Sequence, residues 1–426
     1  MESAHCAPVN IEIINTGSEL MLGRVLNTHQ QWLCREMADR GRTVARQTAV
    51  PDTAQDIVEA VKEALGRADL ILVTGGLGPT SDDRTRDLIA QLLGRKLEMD
   101  PAIVEKIRGM FARRRRTPPP GMEVQAMVPE GAIVLSNDFG TAPGLALKVE
   151  AGRYRASASW LVMLPGPPRE LKPMFLHQAV PLLERELPQM QEFACRTLKT
   201  TGIGESWVEE QIASRLEHLT KNGLDLGYCA RVGEVDVRFV AQGLGAAKMV
   251  RDAEEIVRSV LAEHVYGTDD EQLEQVVIRL LTQKNLKVAL AESCTGGFIA
   301  NRLTNVPGAS AAFLAGLVTY SNEAKQKFLG VQLETLVAHG AVSEATAREM
   351  AAGARANAGA DYAIAVTGIA GPGGGSEEKP VGTVFIALAA PHGTEVKRQL
   401  NTFDRETFKY VTSQQGLEML RRALLK

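Results

Sequence analysis

From Ile11 to about Phe175, short apolar runs alternate with stretches of helical period: IEIINT, a helix through Trp32 and Met37, ADLILVTGG, then a helix from about Asp83 to Leu93. That alternation predicts a parallel sheet covered by helices, with ligands held by the loops that leave the strand ends. From about Pro188 to Gly267 the texture changes to two amphipathic helical stretches around the strand-like VGEVDVRFVAQG. This predicts a small α/β module with few groups capable of chemistry. After TDDEQLEQ a third unit begins with a helix, the strand KVALAES, another helix and the apolar AFLAGLVTY. It continues with strands around YAIAVTG and TVFIALAA and closes with a helix from Arg405 to Lys426. The fold class is α/β throughout, and a chain of 426 residues accommodates two or three domains with full cores.

Composition narrows the function classes. With 45% hydrophobic and 23% charged residues and no apolar run near the length of a membrane span, the chain reads as soluble, with no membrane partner. The opening MESAHCAPVN lacks the basic and apolar regions of a signal peptide, so a cytoplasmic location is expected. A net charge of -3 provides no global field for nucleic acid, and 5% aromatics without basic–aromatic interleaving argue against a stacking surface. Cys6, Cys34, Cys195, Cys229 and Cys294 are scattered without metal-ligand spacing, which predicts reduced thiols and no zinc site. Any metal is then expected to sit among carboxylates and substrate oxygens, as magnesium does. The run Arg113 to Arg116 before TPPPG reads as a solvated turn, with contact to an anionic substrate as the other reading. A soluble protein of this size is expected to form a symmetric dimer.

Two constellations carry chemistry. In the C-terminal unit, Ser293, Thr295, Gly296 and Gly297 follow an apolar strand and precede a helix, a turn whose backbone N–H groups can hold a phosphate or an oxyanion or can simply start the helix. Ser310, Tyr320, Lys325 and Thr367 lie around further glycine turns, and hydroxyl-plus-lysine sets perform acyl transfer without histidine. Cys294 reads as a small buried thiol, and Glu377, Glu378 and Lys379 as a solvated loop that closes over substrate. Ser343 is expected to cap the helix that follows it. In the N-terminal unit, VTGGLGPTSDD places Gly75, Gly76 and Gly78 where a phosphate can approach closely, with Asp82 and Asp83 at the start of a helix. The pair either holds a divalent cation or caps that helix.

The motifs AESCTGG, VPGAS, TYSNEAK and TGIAGPGGGSEEKPVGTV resemble the C-terminal domain of the CinA (competence/damage-inducible) family, across roughly residues 270 to 426. Stand-alone relatives of that domain are nicotinamide-mononucleotide amidohydrolases. The resemblance implies hydrolysis of the carboxamide of nicotinamide mononucleotide to nicotinic acid mononucleotide and ammonia, without a cofactor. It implies Ser310 as nucleophile and Lys325 as general base, with Tyr320, Thr367 and Arg405 in support. A lysine of ordinary pKa is neutral in only about one molecule in 2,500 at pH 7, so Lys325 must be shifted down at a cost of roughly 4 kcal/mol. Burial and a neighbouring cation such as Arg405 are the expected causes. Gly368 or Gly296 would supply oxyanion N–H groups, and Arg405 is alternatively a grip on the mononucleotide phosphate.

TGSELMLGRVLNT with Glu19 and Asn27, VTGGLGPTSDD, FGTAPG with Thr141, and LPGPPRE resemble the CinA N-terminal domain over about residues 8 to 175. Its fold is the three-layer α/β molybdopterin-binding fold of molybdenum-cofactor biosynthesis proteins. The resemblance implies an ADP-ribose pyrophosphatase that yields AMP and ribose 5-phosphate, with Asp82 and Asp83 serving a divalent metal such as magnesium and the attacking water. Ser18, His29 and Met122 depart from the usual pattern. Residues 176 to 267 resemble the family's KH-like insert. The expectation for the whole chain is a bifunctional pyridine-nucleotide salvage hydrolase. The competing expectation is a non-catalytic nucleotide- or pterin-binding partner protein in DNA uptake or damage response.

Overall fold

The computed structural model describes residues 9–189 and 191–426, and these divide into two compact units, 1–193 and 194–426. Cys6 and most of the MESAHCAPVN segment lie outside the described residues.

In the first unit a six-stranded sheet runs in the order Val44–Val50, Ile11–Thr16, Leu70–Thr74, Ser159–Leu164, Gly144–Val149, Ile133–Leu135. The first four strands are parallel and the last two antiparallel to their neighbours. Ile11–Thr16, Leu70–Thr74 and Ser159–Leu164 are buried along their whole length, which is why they read as continuous apolar runs. Residues alternate between two cores, with Ile11, Ile13, Leu70 and Leu72 on one face and Ile14, Ile71 and Val73 on the other. Ile11–Thr16 leads out to Val44–Val50 on one side, and the chain then returns to Leu70–Thr74 on the other. The carboxyl ends of these central strands are therefore a topological switch point, where open α/β sheets leave a crevice.

The predicted domain boundary at 175/176 does not hold. It cuts a continuous helical segment, Pro168–Met174 through Phe175–Ala179 to Val180–Glu186, whose Leu171, Met174, Phe175, Ala179, Leu182 and Leu183 pack in the first core. The predicted helix from Asp83 is Thr85–Leu93, with Arg84 at its cap position and no side-chain cap, so neither aspartate caps it.

The second unit contains the small module and the C-terminal domain. The module has a four-stranded sheet in the order Asp225–Arg231, Glu234–Gln242, Phe193–Thr201, Val265–Thr268. Helices Glu205–Thr220 and Ala246–Leu261 pack on it through Val208, Ile212, Leu216, Val250 and Val257. The C-terminal domain has five strands in the order Phe313–Val318, Val288–Glu292, Tyr362–Gly368, Thr383–Ala390, Gly393–Leu400. The first three are parallel and the last two antiparallel. Leu273–Gln283, Phe298–Thr304 and Arg405–Leu425 cover one face, and Leu333–His339 and Glu344–Ala358 the other. Ser343 caps the last of these, accepting from the Thr346 N–H at 3.2 Å. No helix among the described residues is long and apolar enough to cross a membrane.

Candidate active sites

Strand Val288–Glu292 is fully buried between parallel neighbours and ends in a carboxylate that builds the turn after it. Glu292, 1% exposed, accepts from Thr295 Oγ1 at 2.6 Å and from the N–H groups of Gly297, Ile299 and Ala300 at 3.0, 3.1 and 2.8 Å. A buried carboxylate on the orphan donors of a helix start satisfies them and complements the helix dipole. Gly296 and Gly297 take φ of +63° and +93°, which lets the chain reverse inside this clamp. Ser293 projects from the turn, with its own N–H donated to Val366 O at 3.0 Å.

Lys325 lies opposite. The neighbouring strand Phe313–Val318 ends in register with Glu292, and the helix Asn322–Leu329, capped by Ser321, carries Lys325 into the interior, 1% exposed. Its Nζ lies 3.1 Å from Ser293 Oγ, 2.9 Å from Thr319 O and 3.3 Å from Tyr320 O. Burial pushes the amine below its ordinary pKa, against a smaller opposing effect of Cys294. A neutral amine has two N–H groups and one lone pair. In that form the two N–H groups would go to the Thr319 and Tyr320 carbonyls and leave the lone pair for the Ser293 proton, whereas a charged amine would donate to all three oxygens.

The structure does not bring Ser310 to Lys325. Ser310 is exposed in a 3₁₀ turn, Ala309–Ala311, before the strand Phe313–Val318, whereas the lysine amine sits beyond that strand's far end. Val288 pairs with Phe313 and Glu292 with Val318, so at about 3.3 Å per residue Ser310 and Lys325 Nζ are separated by roughly 16 Å or more. The serine with the required geometry is Ser293, predicted only as a binding residue.

Other expectations also change. Thr295 is fully buried with its hydroxyl spent on Glu292. Thr367 donates to Ala341 O at 2.7 Å and ties the end of the strand Tyr362–Gly368 to the loop before Ser343. The Gly296 N–H is used by Ser293 O at 3.1 Å. Gly368 ends a paired strand where a Cβ would meet Thr383 O at 2.8 Å. Arg405 is not the cause of the lysine shift; its guanidinium donates to Tyr320 Oη at 3.0 Å and Gly371 O at 2.9 Å. Cys294 is buried, with its thiol pushed up to about 12 chiefly by burial, so it is no nucleophile.

In the first unit, a cleft of about 580 Å³ opens at the switch point. It gathers Glu19, Asn27, Gly75, Gly76, Gly78, Asp82, Asp83 and Thr141, all eight of the residues predicted there. Gly75 and Gly76 have φ of +97° and +66°, and a Cβ on them would meet Thr16 O at 2.7 Å and Thr85 Oγ1 at 2.0 Å, so this floor requires glycine. Asn27 lines the cleft, but its Nδ2 is engaged by Asn15 and Gln30, and its Oδ1 caps the helix Thr28–Ala38. Asp83 folds back on the Thr80 N–H at 3.0 Å and on the Thr80 hydroxyl. Asp82 beside it is exposed. No cluster of three metal-ligating side chains occurs among the described residues. The donors fit a cation held by one or two carboxylates and completed by substrate oxygens, not a protein cage.

The sequence reading missed Glu170 and Asn137. Glu170 lines the cleft and is 7% exposed; Asn137 donates to it at 2.9 Å and to Ala142 O at 2.7 Å while accepting from the Phe139 and Gly140 N–H groups. The PRE of LPGPPRE was the available signal. His29 Nε2 and Gln125 Oε1 are enclosed at this cleft without a hydrogen-bond partner, and burial, then Lys172, keeps His29 below its ordinary pKa.

The molecule is thus a multidomain α/β protein with a buried serine–lysine pair at the strand ends of one sheet and a glycine-floored cleft at the strand ends of another. Family descriptions match in the same order: "Probable molybdopterin binding domain" over residues 12–185, "Damage-inducible protein CinA KH domain" over 195–267, and "CinA C-terminal domain" over 270–424. The chain belongs to the CinA family. It is 45% identical over 416 residues to a putative competence-damage inducible protein of Moorella thermoacetica, covering 97% of this chain and 98% of that one. It is 43% identical over 414 residues to a CinA-like protein of Akkermansia muciniphila, covering 96% of each. Among solved structures, competence/damage inducible protein CihA from Agrobacterium tumefaciens is 44% identical over 37% of this chain and 98% of its own, with a TM-score of 0.34.

Proposed function

We propose that the C-terminal domain is an amidohydrolase acting on nicotinamide mononucleotide through Ser293 and Lys325. The observation that carries this reading is the buried, pKa-lowered Lys325 amine 3.1 Å from Ser293 Oγ, with two carbonyls taking its N–H groups. Ser293 Oγ attacks the carboxamide carbon as its proton passes to Lys325 Nζ. The tetrahedral adduct collapses, the C–N bond breaks, and Lys325 returns the proton to the departing ammonia. Water, deprotonated by the neutral lysine, then hydrolyses the ester to the acid and frees Ser293. Arg405 and Tyr320, joined at 3.0 Å at the mouth, orient the anionic nucleotide.

The same proposal assigns the first unit as an ADP-ribose pyrophosphatase. The glycine floor admits a phosphate, and Asp82, with Asp83 behind it, would hold a divalent cation. Such a cation neutralises charge on a pyrophosphate and lowers the pKa of a bound water. The pairing makes chemical sense, because both substrates arise from breakdown of pyridine dinucleotides. Incubation of the full chain with each nucleotide, following ammonia and AMP separately, tests both halves. Binding of both without turnover of either would favour a nucleotide-sensing partner protein.

A further inference from the structure

Where the module meets the C-terminal domain, the structure buries a carboxylate that neither site uses. Glu234, 4% exposed, opens the strand Glu234–Gln242 after the tight turn at Val232 and Gly233. Its Oε1 accepts from Tyr266 Oη at 2.7 Å and from Gln414 Nε2 at 2.7 Å. Its Oε2 accepts from Tyr410 Oη at 3.4 Å and lies 3.8 Å from Arg231 Nε. Burial, then Glu234, pushes the Tyr266 phenol up, so it stays a protonated donor.

The Gln414 amide is used at both ends: with Nε2 on Glu234, its Oε1 faces Arg302 Nη2 at 2.8 Å. Arg302, 6% exposed, also donates to Ser413 Oγ at 2.8 Å and Glu274 Oε2 at 2.6 Å, with its guanidinium 5.4 Å from the centre of the Tyr410 ring. A carboxylate accepts only and a guanidinium donates only, so this chain of contacts allows Gln414 one orientation. The two helices it joins border the site without carrying Ser293 or Lys325. Arg302 belongs to Phe298–Thr304, which starts on the Ser293 turn, and Gln414 to Arg405–Leu425, whose first residue holds Tyr320 and Gly371.

We infer that Glu234 is a positioning residue for the C-terminal site: through Gln414 and Arg302 it sets the two helices that present the Ser293 turn and Arg405, and the module serves catalysis by this contact. The inference rests on the reading of Ser293, Lys325 and Arg405 given above. A satisfied buried network rigidifies what it joins, and an amide in place of the carboxylate presents a donor where Gln414 and two phenols also donate.

The test compares Glu234→Gln with Tyr266→Phe in the full chain. Tyr266→Phe removes one donor to Glu234 from within the module but leaves the Gln414 to Arg302 contact intact. Glu234→Gln is expected to speed amide hydrogen exchange about tenfold or more in residues 298–304 and 405–410, while Tyr266→Phe leaves both segments as in the native chain. It is also expected to raise KM for nicotinamide mononucleotide about five- to tenfold, with kcat and the acid limb of the pH profile held. Glu234→Asp, which keeps the charge, should restore most of the protection and guards against a Gln variant that does not fold. Equal exchange in these segments for Glu234→Gln and Tyr266→Phe, or native exchange in both, overturns the inference and leaves Glu234 as domain glue. Absence of amidase activity in the native chain would instead strike the functional reading, and the exchange result would still decide the role of Glu234.

Discussion

The two candidate sites occupy equivalent places, the carboxyl ends of parallel strands, but differ in how complete they are. At the C-terminal site the charged groups around the serine–lysine pair already have their partners, although the buried Thr319 and Thr383 hydroxyls do not. Glu292 clamps four donors, Lys325 meets two carbonyls and one hydroxyl, and Arg405 joins Tyr320 to the loop at Gly371. At the N-terminal cleft the reactive carboxylates are exposed or folded onto their own turn, and two enclosed polar atoms have no partner. The first arrangement is preorganised, so its chemistry depends on side chains held under burial. In the proposed function the second is a cradle that its ligand, and a cation carried with it, would finish. Preorganisation predicts sensitivity to single substitutions, and ligand-completed assembly predicts sensitivity to divalent ions.

The largest expected effect is at Lys325. Lys325→Met should lower amide hydrolysis about 10⁴-fold or more, measured as ammonia release, while leaving pyrophosphate cleavage unchanged. Its pH behaviour sharpens the point. The folded pKa lies below the unfolded one, so between the two values the unfolded chain binds more protons and stability rises with pH. Below the folded pKa that dependence ends, and the amine is charged in both states. Denaturant midpoints followed across alkaline pH should therefore show a rising component in the native chain that Lys325→Met lacks. Amidase activity should fall on the acid side as Lys325 protonates.

Glu292→Gln comes next. Replacing an acceptor-only carboxylate by an amide turns one lone-pair site toward donors, so a loss of about 2–4 kcal/mol in urea unfolding is expected, with amidase activity falling alongside. Retention of full activity would mean that the turn does not depend on its clamp. At the other site, Asp82→Asn should reduce ADP-ribose cleavage about 10–100-fold and chelation should abolish it, with amide hydrolysis indifferent to both. Sensitivity of the amidase to chelation would erase the contrast. The smallest effect is at Tyr320, where Tyr320→Phe removes one hydrogen bond to Arg405 and should raise KM for the mononucleotide about threefold to tenfold.

Much of this was legible in the sequence because it is written locally. Buried parallel strands read as apolar runs, glycine turns followed them, and Lys325 stood out as the lysine of the hydroxyl-bearing motif TYSNEAK. The cleft assembled from TGSEL and TGGLGP because each continues its strand directly, and from FGT in the connection between Ile133–Leu135 and Gly144–Val149. The nucleophile was misplaced because two serines stood in glycine turns and the resemblance was carried over to Ser310. A physical rule would have separated them: Ser293 follows a parallel strand and Ser310 precedes one, so only Ser293 can share an end of the sheet with the residues after Val318. Contacts such as Glu234 to Gln414, 180 residues apart, or Asn137 to Glu170, 33 apart, leave no periodic or compositional trace. They arise only when separate elements pack; Asn137 was missed for that reason, whereas Glu170 stood in the motif LPGPPRE and was passed over.

Which serine reacts decides the mechanism at the C-terminal site. The direct measurement is ammonia release from nicotinamide mononucleotide by the native chain, Ser293→Ala and Ser310→Ala, with the mass of any acyl-enzyme trapped by rapid acid quench. The account predicts turnover by the native chain and Ser310→Ala, none by Ser293→Ala, and an adduct on the peptide carrying Ser293. Turnover by Ser293→Ala together with loss in Ser310→Ala would contradict it.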